Sequence, residues 1–301
     1  MSFQLVKRAS RRAGLGGFLA AALAAAPAFA PACAQELDSG WTRLRISSAR
    51  LIAAPSADGW RAGVEIRLDP DVLTYWRTPG DAGAPPEFDF SASENVAEAG
   101  VRYPVPTRFL EDGLNVFGYR DDVVFPLDLR LKDPGKPATL ALSMNYAVCG
   151  KICVPVTARL TLALPRVAAG GAPGEHEERL LAAQAKTPRP LAAGESARKV
   201  SMTREPGAAR PTWRLRLRDG AEPSAPADLF AEAPPGWFFE TRPGDAPGEF
   251  LIVQTEQPEG ARHASVVLTL SGPQAYEFTV ELDARRAVAD GAPDREGEET
   301  Q

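Results

Sequence analysis

The sequence has few of the residues on which most enzymatic and metal-binding chemistry depends. Its 301 residues include only 3 cysteines, 3 methionines and 2 histidines. It lacks the Gly-x-Ser-x-Gly, His-Glu-x-x-His and phosphate-loop motifs, so nothing supports a hydrolase, a zinc protease or a nucleotide-binding protein. A net charge of -5 without a stripe of basic and aromatic residues predicts that nucleic acid is not a partner.

The N-terminus has the pattern of an export signal. Basic residues at 7–12 precede an Ala/Leu-rich run over 13–30, and small residues at 32–34 suit a signal peptidase. We therefore expect a cleaved signal peptide over 1–34, a periplasmic location, and no membrane span in the mature chain. A pair of arginines at 11–12 leaves the twin-arginine route open beside the general one.

Signal cleavage leaves two cysteines, Cys149 and Cys153, separated by a three-residue spacer. In an exported protein such a pair is a structural disulfide, a redox-active dithiol or two soft ligands for a metal. Closing so short a loop stabilises a fold by roughly 2 kcal/mol, against about 4.7 kcal/mol for a 100-residue loop, which makes a purely structural staple the weaker interpretation. Lys151, between the two thiols, would favour the thiolate through its charge.

Alternating apolar residues lead into and out of the cysteine pair. Every second residue from Leu140 to Val148 is apolar or aromatic, and the alternation resumes from Ala158 to Leu164. A period of two predicts a half-buried β-strand. The two cysteines are therefore predicted to lie in the connection of a β-hairpin, where a second protein can reach them.

Short alternating runs separated by turn residues continue along the chain, for example at 44–46, 64–68 and 124–129. Many short strands of this kind predict an all-β protein built from antiparallel sandwiches. The predicted division is a signal peptide at 1–34, a first sandwich at 35–166, a linker with a short helix (175–186) at 167–212, a second, smaller sandwich at 213–286 and a disordered acidic tail at 287–301.

Three segments together resemble a known family: the hairpin at 146–155, Phe117-Gly118-Tyr119-Arg120-Asp121, and Tyr75-Trp76-Arg77-Thr78-Pro79-Gly80-Asp81-Ala82-Gly83. They are similar to the N-terminal periplasmic domain of the DsbD-type thiol:disulfide interchange proteins, most of all to the ScsB-like branch with two immunoglobulin-like domains. The resemblance is good over 41–165 and loose beyond it. It implies two immunoglobulin-like sandwiches and the family's settings, cytochrome c biogenesis and copper tolerance.

The resemblance also implies an activity, that of a thiol-disulfide oxidoreductase with no cofactor besides its redox-active disulfide. The pair would receive electrons from a membrane-embedded or thioredoxin-like donor and pass them to periplasmic proteins that carry disulfides. By motif position, Cys153 forms the intermolecular bond and Cys149 resolves it. Since neither membrane segments nor a thioredoxin-like domain follow residue 166, the donor is expected to be a separate protein.

In the family an aromatic cap loop shields the cysteines until a partner arrives. The corresponding segment here is about 109–119, with Phe117 and Tyr119 as the covering candidates. Tyr75 and Lys151 are the other residues expected at the cap or against a partner.

Two other functions stay open at this point. Cys149, Cys153 and Met144 offer soft ligands for Cu(I), which would make the chain a copper-binding or copper-tolerance protein, although Met144 also suits a sandwich core. The chain could instead be a structural adaptor with a stapled hairpin. The two histidines, His176 and His263, are predicted to be solvated.

Overall fold

The computed structural model describes residues 37–57, 59–166, 174–218 and 227–283. The predicted signal peptide and acidic tail lie outside the described residues. Four sheets dominate, in which all strand pairs of the described residues except one are antiparallel, and the predicted all-β, immunoglobulin-like fold is confirmed. Neither helix in the described ranges is long and apolar enough to cross a membrane.

The first sandwich contains twelve strands in two sheets. In chain order they are β1 (Leu37–Asp38), β2 (Thr42–Leu44), β3 (Ser47–Ser56), β4 (Gly59–Leu68), β5 (Leu73–Gly80), β6 (Glu87–Asp89), β7 (Val96–Val101), β8 (Thr107–Glu111), β9 (Leu114–Arg120), β10 (Asp122–Leu131), β11 (Ala138–Cys149) and β12 (Cys153–Leu164). One sheet has the order β1-β3-β4-β10-β7 with β2 paired to β3, and the other has the order β12-β11-β5-β9-β8 with β6 paired to β11.

Period-two patterning places the core between these two sheets. On β12 every second residue from Val156 to Leu164 is buried, and its neighbours are exposed. These side chains pack with Met144 of β11 and Phe125 of β10 in the main core. The strand predicted at 44–46 is wrong in detail, because Arg45, at φ 23°, lies in the turn between β2 and β3.

A helix follows the first sandwich and packs against its outer surface. This helix, α1 (Glu175–Ala185), agrees closely with the prediction. Leu180 is fully buried against Ile52, Ala54 and Val124. Gly63 makes room for it, since a Cβ there would lie 2.7 Å from Cδ2 of Leu180.

Polar side chains in the N-terminal half of the same helix also attach it to the first sandwich. Glu65, fully buried on β4, pairs with Arg50 at 2.7 Å and with Arg179 of α1. The prediction of a solvated His176 is wrong: its exposed fraction is 7%, and Nε2 lies 3.2 Å from a carboxylate oxygen of Asp38.

The second sandwich begins earlier in the chain than predicted. Its elements are β13 (Arg189–Pro190), α2 (Ala193–Lys199), β14 (Val200–Arg204), β15 (Thr212–Leu217), β16 (Leu229–Glu232), β17 (Phe238–Pro243), β18 (Glu249–Glu256), β19 (His263–Leu270) and β20 (Tyr276–Asp283). The two sheets have the orders β13-β20-β19-β16 and β14-β15-β18-β17. Because β14 pairs along its whole length with β15, the linker predicted to reach residue 212 is shorter. Val200 is the one buried side chain of β14, so hydrophobic periodicity does not predict this strand.

The two sandwiches share a buried contact. Phe230 on β16 is fully buried and belongs to the core of the first sandwich rather than to that of the second. Its ring centroid lies 5.6 Å from that of Trp76 and 5.0 Å from that of Phe117. The second sandwich therefore contributes a core residue to the first.

Candidate redox site

The two cysteines close the longest hairpin of the first sandwich. Strands β11 and β12 pair from Ala138↔Leu164 to Cys149↔Cys153, and a disulfide joins the last pair. In the turn between them, the Gly150 amide donates a hydrogen bond of 3.2 Å to the Ile152 carbonyl. The sequence prediction that the pair lies in a hairpin connection is confirmed.

The two sulfur-bearing residues differ in exposure. Cys149 is buried, with an exposed fraction of 7%, whereas Cys153 is exposed. Lys151 and Ile152 in the turn are exposed as well, and Ile152 shows 72% of its surface to solvent. An incoming thiolate therefore has access to the sulfur of Cys153 before that of Cys149.

Cys149 packs in a small cluster that is separate from the main core. The cluster contains Leu73, Tyr75, Val116 and Cys149, with three partly buried neighbours at its edge, Ala82, Phe109 and Ala147. The residues next to these along the strands, such as Val148, Trp76 and Phe117, belong to the main core. Since adjacent strand residues point to opposite faces, the disulfide lies on the outer face of its sheet.

Tyr75 contacts both sulfurs. Its hydroxyl donates a hydrogen bond of 2.8 Å to Sγ of Cys149 and lies 3.6 Å from Sγ of Cys153. Burial raises the pKa of Tyr75 above its ordinary value, and the negative charge of Glu111 adds to the increase. The phenol therefore keeps its proton at neutral pH and can donate it to a thiolate that forms on Cys149.

The loop after β5 fixes the Tyr75 ring. Gly83, at φ 111°, lies directly against the ring, and a Cβ at this position would overlap the ring carbons. Two residues earlier, Asp81 exchanges hydrogen bonds with Asn115: each backbone amide donates at 2.8 Å, one to the Asn115 carbonyl and the other to the Asp81 carboxylate. The Pro-Gly-Asp-Ala-Gly part of the motif thus positions the ring and ties it to the β8–β9 hairpin.

Phe117 and Tyr119, predicted to cover the disulfide, lie elsewhere. Both are buried in the main core, where the Tyr119 hydroxyl donates a hydrogen bond of 2.7 Å to the Pro104 carbonyl. Within the segment expected to form the cap, the aromatic residue that packs against the disulfide cluster is Phe109. Phe109 pairs with Val116 across the hairpin, and both side chains lie on the outer face with Cys149. Phe117 follows Val116 on the strand and therefore lies on the inner face.

Met144 does not lie beside the cysteines. It is fully buried in the main core, five residues before Cys149 on the same strand, which corresponds to about 16 Å along the chain. Within the described ranges, His, Cys, Asp and Glu form no group of three or more that could hold a metal ion. The Cu(I) function stays a prediction from the sequence.

Comparisons with known proteins agree with this geometry. Residues 44–165 match the family described as thiol:disulfide interchange protein DsbD, N-terminal. The chain is also similar to the crystal structure of the N-terminal periplasmic domain of ScsB from Proteus mirabilis, with a TM-score of 0.64 and 20% identity over 82% of this chain and 98% of that chain. No curated protein sequence matches the chain. At this identity the structural likeness shows the fold, and its coverage exceeds what the first sandwich alone occupies.

Proposed function

We propose that the chain is a periplasmic thiol:disulfide interchange protein that relays electrons through Cys149 and Cys153, and the match of residues 44–165 to the DsbD N-terminal family supports this proposal. A membrane-embedded or thioredoxin-like protein would reduce the pair, and periplasmic proteins with disulfides would oxidise it again. The observation that carries the proposal is the disulfide at the hairpin tip, with one exposed sulfur and one buried sulfur that accepts a hydrogen bond.

Reduction starts at the exposed sulfur. A thiolate of the donor attacks Sγ of Cys153, the bond between Cys149 and Cys153 breaks, and Cys149 leaves as a thiolate. Tyr75 stabilises that thiolate by donating its hydroxyl hydrogen bond. The second thiolate of the donor then attacks the mixed disulfide, so that the donor leaves oxidised and Cys153 is released as a thiolate.

Oxidation runs through the same two sulfurs. The Cys153 thiolate attacks a disulfide of the acceptor protein, and the acceptor's leaving sulfur takes up a proton. Cys149 then attacks Sγ of Cys153, which restores the intramolecular disulfide and releases the acceptor with two thiols. Two electrons pass to the acceptor, and the chain returns to the oxidised state.

A trapping experiment tests these roles. A thioredoxin-like protein with a single cysteine is activated as its mixed disulfide with 5-thio-2-nitrobenzoate and mixed with reduced cysteine variants of the chain from residue 35 onward, which lacks Cys33. We expect Cys149→Ala to release the coloured thiol and form a covalent adduct on a non-reducing gel, because Cys153 is exposed. We expect Cys153→Ala to react at least tenfold more slowly, because Cys149 is buried.

The matched pair of variants carries its own control, since each retains one cysteine of the same hairpin. An adduct that forms equally fast with Cys153→Ala would contradict the assignment of Cys153 as the attacking residue. If neither variant forms an adduct while free dithiothreitol still reduces the wild-type disulfide, the proposed exchange with proteins is wrong.

A further inference from the structure

The sheet that carries the disulfide also makes a contact through its other face. Its outer face holds the disulfide cluster, whereas its inner face at β5, β8 and β9 meets β16 of the second sandwich. The adjacent residues Arg108 and Phe109 on β8 show how the two faces of the sheet differ. Phe109 packs against the disulfide cluster, and Arg108, on the other face, contacts the second sandwich.

Arg108 on β8 makes several hydrogen bonds to the second sandwich. Its guanidinium forms two parallel hydrogen bonds with the carboxylate of Asp228, at 2.8 and 2.9 Å. It also donates to the Leu229 carbonyl and to the Thr241 hydroxyl, each at 3.0 Å. Both charged side chains are largely shielded from water, with exposed fractions of 21% and 27%, so this bidentate pair is stronger than an ordinary surface ion pair.

The β8 strand has few other attachments. It lies at the edge of its sheet and, among the strands that the structure describes, pairs with β9 alone. The tip of the hairpin is open to solvent, and the side chains of Leu110 and Leu114 on either side of it are 73% and 45% exposed. An edge strand held on one side is free to move away from the sheet unless other contacts restrain it.

A second contact holds the strand that carries Tyr75. Two residues beyond Tyr75, the guanidinium of Arg77 donates to the carboxylate of Glu232, with its Nε at 2.8 Å, and it also pairs with Glu277. The hydroxyl of Thr78 donates to Glu232 at 3.0 Å. The second sandwich therefore contacts both β5, which carries Tyr75, and β8, which carries Phe109.

From these contacts we propose that the second sandwich is a brace that holds the β8–β9 hairpin, and with it Phe109, against the disulfide, and that Arg108 is the positioning residue through which it acts. The proposal deepens the exchange function proposed above and rests on it. The hairpin exchanges between a closed position, in which Phe109 covers Cys149, and an open one, in which the disulfide reacts. The contacts of Arg108 on the inner face determine what fraction of the molecules is open, although they touch neither sulfur.

The test measures how fast dithiothreitol reduces the disulfide in the folded, full chain. Each reaction opens the bond between Cys149 and Cys153 and closes the cyclic disulfide of dithiothreitol. We expect Arg108→Met to raise the second-order rate constant about fivefold or more, because the open form becomes more populated. Phe109→Ala should raise it as well, and the double variant should react no faster than Phe109→Ala alone, since both changes act through the same cover.

Arg214→Met is the matched control. Arg214 also pairs with carboxylates, those of Glu205, Asp245 and Glu249, but all of these contacts lie within the second sandwich. This variant should lower stability without changing the rate of reduction. Asp228→Asn weakens the Arg108 contact from the second sandwich, and it should reproduce the faster reduction even if Arg108→Met fails to fold.

Two results would overturn the brace. One is an unchanged rate in both Arg108→Met and Asp228→Asn; the other is additive rate increases in the Arg108→Met/Phe109→Ala variant. Neither result bears on the trapping of protein adducts by Cys153, because dithiothreitol reports access to the disulfide without any partner. Failure of the brace and failure of the exchange function are thus distinguished by the two experiments.

Discussion

Tyr75 is the polar residue through which the first sandwich acts directly on the disulfide. Its hydroxyl lies within reach of both sulfurs, and its ring is held by the loop that follows β5. A hydrogen bond to a charged acceptor contributes more than one between neutral groups, so its main effect falls on the state in which Cys149 is a thiolate.

Replacing Tyr75 with phenylalanine removes the donor and keeps the ring. Tyr75→Phe is expected to slow reduction of the disulfide by dithiothreitol about tenfold, since the leaving thiolate of Cys149 loses its hydrogen bond. Stopped-flow reduction at neutral pH measures the rate. Tyr103→Phe is the control, because the Tyr103 hydroxyl donates to the Pro86 carbonyl instead; equal rates in all three proteins would show that the donor has no part in the reaction.

At this scale the sequence predicts the reacting atoms better than their surroundings. The spacing of Cys149 and Cys153 within alternating strands was enough to place them in a hairpin, and the family motif identified Tyr75. The sequence predicts Phe117 and Tyr119 as the covering residues, but both lie in the main core, and the residue of that segment that packs against the disulfide cluster is Phe109 on the paired strand. Which face of a strand points outward depends on its pairing register, and a single sequence does not contain that information.

Among the elements, the loop that leaves β5 shows how backbone geometry sets up the site. Gly83 combines a positive φ with direct contact to the Tyr75 ring, and Gly80 approaches the Asn115 carbonyl just as closely. Only glycine suits such positions, because any side chain would occupy the space of the ring or the neighbouring strand.

Gly83→Ala should therefore have a larger effect than its backbone conformation alone explains. We expect a loss of unfolding free energy of about 1–2 kcal/mol from the positive φ, with a further loss from displacement of the ring, and a slower reduction that resembles Tyr75→Phe. Denaturant unfolding and stopped-flow reduction measure the two effects. Gly59→Ala is the matched control, since Gly59 has a φ of 122° and a Cβ added there would meet no heavy atom within 4 Å. If both variants reduce at the wild-type rate, Gly83 does not position the ring.

The sequence predicts that the helix exists, but it does not predict where the helix packs. The helix predicted at 175–186 is found at Glu175–Ala185, yet nothing local indicates that it packs on β3, β4 and β10. Glu65 has the sequence pattern of a solvated residue between its valine and isoleucine neighbours, and it is buried because arginines from two distant segments reach it. Contacts of this kind depend on tertiary structure, which hydrophobic periodicity does not report.

For the whole molecule, the contact between the sandwiches joins two domains into one folded unit. Phe230 inserts into the first core, and ion pairs from Arg77 and Arg108 surround it. The sequence predicted two domains with a linker and left the task of the second open; the buried Phe230 shows that the second domain is packed against the first.

Phe230→Ala is expected to uncouple the two sandwiches. Loss of a fully buried phenylalanine costs roughly 3–5 kcal/mol, and we expect the wild type to unfold in one transition and the variant in two. Tryptophan fluorescence in a denaturant titration follows both sandwiches, which contain Trp76 and Trp213 respectively. Phe238→Ala, at a side chain that is 55% exposed, should change little. One transition with an unchanged midpoint in Phe230→Ala would mean that the contact does not couple the domains.

The long β11–β12 ladder has a consequence for the proposed electron relay. The disulfide joins only the last pair of the ladder, over a sequence separation of 4, and the backbone pairing from Ala138 to Val148 lies outside the loop that it closes. We therefore expect the scaffold to keep one shape when the pair gains or loses two electrons, so that no refolding is needed between successive turnovers. The oxidised and reduced forms would then present nearly the same surface, and a partner would distinguish them at the hairpin tip itself.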